Sequence, residues 1–141
     1  MKKIILPIYL IITIICMTVV PSYAEALDTT KKSMLQPYWT EISQFNNSFD
    51  ITSTGRSDIE SMMYAFSVDL IEIQVNLQQY KNGSWTTIKS WTGKSKDVIC
   101  SVVGSWYVQK GYAYRMVSTG TVYIDGQEVE QVNYISQGRW Y

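Results

Sequence analysis

Two patterns of apolar residues divide the chain. From Ile4 to Val20 it is mostly apolar, behind Lys2-Lys3 and ahead of Pro21-Ser22-Tyr23-Ala24. After Pro37 a period of two takes over. Ile71, Ile73, Val75 and Leu77 alternate there with Glu72, Gln74, Asn76 and Gln78. The alternation predicts a half-buried strand with one apolar and one polar face. It runs into Asn82-Gly83, a two-residue hairpin turn in which both residues need positive φ. Counting outward pairs Lys81 with Ser84, Tyr80 with Trp85, Leu77 with Ile88 and Gln74 with Trp91. This register puts Tyr80, Trp85 and Trp91 on the glutamine face.

Asp125-Gly126 marks a second hairpin between Tyr112–Ile124 and Glu128–Ile135, pairing Val122 with Val129. Gly120 inside the first arm suggests a bulge. Shorter strands are expected at Trp39–Phe45, Ser48–Ser53, Asp58–Phe66 and Val98–Val103, punctuated by Asn46-Asn47, Gly55, Gly93 and Gly104. No stretch has sustained helical spacing. Many short strands with turn signals between them predict an all-β protein built as a single antiparallel β-sandwich. Lys110-Gly111-Tyr112-Ala113-Tyr114 favours the immunoglobulin/fibronectin-like version. Tyr112 follows a glycine turn at the start of a late strand, where such sandwiches place a corner tyrosine. Tyr114 stands where antibody domains place the second cysteine, as an aromatic plug. An ordinary strand tyrosine is the competing reading.

The apolar N-terminal run reads as a secretory signal peptide over residues 1–24, cleaved after Ala24 or alternatively after Ala26. The run is at the short end for a membrane span, so an uncleaved anchor competes. A lipid anchor on Cys16 would want a small residue before it, and Ile15 is large. Cleavage leaves a polar leader, residues 25–37, and one domain, residues 38–141, with no transmembrane span. The expected location is secreted or extracellular. Losing Lys2 and Lys3 from twelve basic residues leaves ten against twelve acidic ones. Along the sequence there is no basic run and no polybasic face, which makes nucleic acid and anionic lipid poor partners.

Cys16 leaves with the signal segment, so Cys100 is the remaining cysteine and no internal disulfide can form. With no histidine in the chain, a nucleophilic role for Cys100 lacks its usual base, and a buried small hydrophobe is the better reading. No cofactor or metal motif is present. The carboxylates show no spacing that pairs two of them across a cleft, as a glycosidase needs, so a non-catalytic protein is expected.

Three segments carry a family resemblance: Leu77-Gln78-Gln79-Tyr80-Lys81-Asn82-Gly83-Ser84-Trp85, then Trp106-Tyr107-Val108-Gln109-Lys110-Gly111-Tyr112-Ala113-Tyr114-Arg115, and Glu130-Gln131-Val132-Asn133-Tyr134. With Lys89-Ser90-Trp91 they resemble a family of small secreted proteins of Gram-positive bacteria catalogued as a domain of unknown function. The resemblance implies export and a β-rich single domain, and brings no activity or ligand.

Eleven tyrosines, five tryptophans and three phenylalanines are more aromatics than one small core obviously needs. Tyr80, Trp85 and Trp91 on one polar face could stack on sugar rings, with Gln74, Gln78 and Thr87 supplying hydrogen bonds. Cross-strand aromatic pairs that stabilise a hairpin are the competing reading. The expected function is therefore a secreted, non-catalytic protein that binds a partner at the cell envelope or in the medium, a glycan or another envelope component being candidates, with a small hydrolase the weakest competing class. A carbohydrate-binding module is its sharper form, and a membrane-active or antagonistic protein the alternative. Trp140 and Tyr141 are expected either to fold back on the core or to meet another subunit.

Overall fold

The computed structural model describes residues 40–141. The signal segment, the leader, Tyr38 and Trp39 lie outside the described residues. Eight strands follow in order: β1 (Ile42–Ile51), β2 (Arg56–Ala65), β3 (Leu70–Lys81), β4 (Ser84–Ser95), β5 (Ile99–Tyr107), β6 (Ala113–Ile124), β7 (Gln127–Ile135) and β8 (Arg139–Trp140). They form two antiparallel sheets, β1-β2-β5 and β4-β3-β6-β7, with β8 also on β6. First, second and fifth strands opposite fourth, third, sixth and seventh is the order of an immunoglobulin-type sandwich. Among the described residues no helix is long and apolar enough to cross a membrane.

The alternating pattern of β3 builds the centre of the core. Ile71, Ile73, Val75 and Leu77 are fully buried, and they share one cluster with Ile59, Met63 and Ala65 from the facing sheet. Ser61 and Ser118 hydrogen-bond across the core at 2.7 Å, and Ser61 donates to Asn47 Oδ1 at 2.8 Å, so the buried hydroxyls are satisfied. Gly120 is not a bulge. It pairs in register with Ile73 and Val132, and a Cβ there would collide with Met63 Cε. The glycine lets the two sheets approach.

Asn46-Asn47 is not a turn either. β1 continues through both residues, which pair with Met62 and Ser61; cross-strand pairing overrides their turn preference. The tyrosine corner is present, but Tyr114 makes it rather than Tyr112. Its ring is fully buried, its hydroxyl donates to Gln109 O at 2.8 Å, and the hydroxyl accepts from Gln109 N and Gln79 Nε2 at 3.1 and 2.9 Å.

Both hairpins turn where the sequence predicts. Asn82 and Gly83 have φ of 54° and 80°, Asp125 and Gly126 have 51° and 74°, and Lys81↔Ser84 through Gln78↔Thr87 pair as counted. The register then shifts. Leu77 faces Lys89, Val75 faces Trp91 and Gln74 faces Thr92, leaving Ile88 as the extra residue of a bulge. A one-residue slip sends every later side chain of β4 to the other face. A second bulge leaves Val129 over, so that Val122 pairs with Glu130. That bulge turns Glu130 inward, where its carboxylate accepts backbone N–H groups of Thr40, Glu41 and Ile42 at 2.9, 3.1 and 2.8 Å.

β4 and β5 meet at the seam between the sheets. Gly93 lies by Val102, Trp91 by Gly104, and Lys89 by Trp106. Bulk increases along the seam with distance from the short 96–98 connection.

Candidate binding face

The outer face of the five-stranded sheet is polar because β3 turns its even-numbered positions outward. Tyr80 and Trp85, paired across the Asn82-Gly83 hairpin, hold their ring centroids 5.2 Å apart at 54°. Tyr80 is 43% exposed and Trp85 half-buried. The guanidinium of Arg115 lies 4.3 Å above the Trp85 ring. Its Nε donates to Gln78 Oε1 at 2.8 Å, and Gln78 Nε2 donates to Thr87 Oγ1 at 3.4 Å. The cluster is thus a tilted aromatic pair, a stacked cation and an amide, fixed by each other.

Of the residues expected to form an aromatic platform, Tyr80, Trp85 and Gln78 come together. Trp91 does not. The Ile88 bulge turns it inward against the core and Gly104, on the opposite side of the sheet from Tyr80. Gln74 is on the outer face and exposed, yet six residues along β3 place it about 20 Å from Tyr80. It belongs to a band of uncharged groups farther along the face. Ser90 Oγ donates to Asn76 Oδ1 at 2.7 Å, and Thr119 Oγ1 donates to Asn133 Oδ1 at 2.7 Å.

Arg115 is the residue that local reasoning misses. It reaches the site because β6 pairs with β3, setting Arg115 opposite Gln78 and Ala113 opposite Tyr80. The intervening β4 and β5 hide that pairing from any local pattern. Trp140 and Tyr141 part company at the same end of the sandwich. Trp140 pairs with Ala113 and is 74% exposed, whereas Tyr141 folds back. Its ring stands where a side chain on Gly55 would be, and its carbonyl accepts from Gly111 N at 2.6 Å.

The carboxylates gather elsewhere. A shallow depression of about 550 Å³ on the three-stranded sheet is lined by Asp50, Asp58 and Glu60 with Ser48 and Ser105. Arg56 pairs with Asp58 at 3.0 Å and Arg139 with Asp50 at 3.3 Å. Among the described residues no three histidine, cysteine or acidic side chains are grouped as metal ligands. Cys100 is buried in the core, and burial, with the Glu72 charge second, pushes its thiol above the ordinary value of 9.0. A protonated, enclosed thiol is a packing group.

No family model, no curated protein and no solved structure matches the chain.

Proposed function

We propose that the chain is a secreted, non-catalytic sandwich domain that binds a glycan of the cell envelope or its surroundings. The binding face is the outer surface of the five-stranded sheet. The observation that carries this reading is the Tyr80–Trp85 pair with Arg115 and Gln78 locked beside it. Rings held in place lose little entropy on stacking against a flat sugar. The band of amides and hydroxyls from Asn76 to Asn133 offers a sugar chain donors and acceptors without a strongly desolvated charge. The apolar N-terminal segment and the resemblance to exported proteins support the location.

The test is a titration of tryptophan fluorescence against a panel of cell-wall and plant polysaccharides. Binding by the wild-type protein and its loss in Trp85→Ala are expected. A flat response across the panel, or dye release from liposomes without any glycan response, would overturn the reading.

A further inference from the structure

We propose that the glycan is polyanionic, and that the end of the sandwich around Tyr80 and Trp85 selects it through cations mounted on aromatic rings. This inference rests on the binding face assigned above and names its ligand class.

The chain scatters its basic residues, and the fold gathers them. Strand directions bring the β3–β4 turn, the β5–β6 loop, the start of β6 and β8 to one end. Three cations stand at that end, and each lies over a ring. Arg115 is over Trp85 at 4.3 Å, Lys81 over Tyr112 at 5.7 Å and Lys110 over Tyr141 at 5.6 Å. Lys89, 4.9 Å from Trp106 and 5.9 Å from Trp91, lies at the seam on the side of the sheet away from Tyr80 and is not one of them. None of the three is among the ion pairs of the described residues, which are Arg56–Asp58, Lys94–Glu72 and Arg139–Asp50. Asp69, Asp97, Asp125 and Glu128 occupy the opposite end. Asp50 and Asp58 stand at the near end too, each paired with an arginine.

A ring under a cation holds it by its quadrupole without cancelling its charge. Lys81 and Lys110 are exposed and can meet an anion on the side away from their rings, and Arg115 is half-buried. Arg115 spends Nε on Gln78, and its terminal nitrogens have the fork geometry that suits a carboxylate or phosphate. Rings for pyranose faces interleaved with cations for acid groups match a sugar polymer bearing carboxylate or phosphate. A duplex nucleic acid would draw on the cations and leave the Tyr80–Trp85 pair unused.

The experiment measures binding of the protein to polygalacturonate, neutral dextran, inorganic polyphosphate and a short DNA duplex, in low and high salt. Polygalacturonate should bind best and weaken as salt rises from about 50 to about 300 mM. Lys110→Gln with Arg115→Gln should lower that affinity about tenfold or more. Arg115→Lys should recover part of it, which separates lost charge from lost folding. Lys94→Gln with Lys96→Gln at the other end should change it less than about twofold. Dextran bound as tightly as polygalacturonate, with no salt dependence, overturns the anionic class and leaves the glycan reading standing. Polyphosphate or DNA bound as tightly, with Trp85→Ala without effect, overturns it in favour of a charge-only surface. No binding to any sugar polymer overturns both readings.

Discussion

The indole of Trp91 stands where a side chain on Gly104 would stand: a Cβ there would lie 2.5 Å from Nε1. One of the two tryptophans of β4 and the one glycine of β5 are thus one packing unit at the seam between the sheets. Gly104→Ala must displace the indole or the strand, and overpacking of this kind costs about 1–3 kcal/mol. Chemical denaturation should show that loss together with a shifted tryptophan emission. An unchanged midpoint would mean that Trp91 has room to move.

Tyr114→Phe keeps the buried ring and removes the hydroxyl that ties β6 to Gln109 and Gln79. The Gln109 amide and carbonyl are left without that partner. A loss of about 1–3 kcal/mol is expected, read by denaturant or thermal unfolding. Tyr112→Phe should be nearly silent in the same measurement, because the corner bonds belong to Tyr114.

Glu130→Ala removes the acceptor for three successive backbone N–H groups at the start of β1. A destabilisation of about 1–2 kcal/mol is expected. Faster amide exchange at Glu41 and Ile42, with protection of β3 retained, would locate the loss at the β1 entry. Equal loss of protection throughout would show that the clasp holds the whole sandwich.

Cys100 should make stability depend on pH at the alkaline end. Its thiol ionises at higher pH in the folded state than in the unfolded chain, because burial disfavours the thiolate. Its contribution is fully present below the unfolded value. It fades as pH rises through that value toward the raised folded one, since the unfolded chain then releases the proton first. Cys100→Ser should flatten that part of the profile relative to wild type. A disulfide-exchange reagent at neutral pH should label Cys100 only as fast as the protein opens.

The parts of the fold that were legible in the sequence are those decided by neighbours along the chain. The apolar stripe of β3 and the two turns with paired positive φ were readable, and so was the pairing of Tyr80 with Trp85. Registers beyond the bulges were not. Trp85, Ile88 and Trp91 are spaced by three, a spacing that fits neither face of a straight strand, and the extra residue at Ile88 decides which ring goes inside. The same holds for Val122, where a valine opposite it looked natural and Val129 is instead extruded to 47% exposure. Gly120 reads locally as an irregularity, although its cause, Met63, lies on the other sheet. The site was half legible for the same reason. Its aromatic pair is a hairpin contact, whereas Arg115 arrives through a pairing of distant strands.

β1 runs from the Glu130 clasp at one end of the sandwich to Ile51 at the other, hydrogen-bonded along its length to β2. A load applied between Thr40 and a ligand held at Tyr80 is therefore directed along the strands. The ladder bonds lie across that direction, so they resist in shear, many at once. A sideways pull would open them in sequence like a zipper. Pulled along the line that joins Thr40 to Tyr80, the domain should withstand more force than when pulled across it.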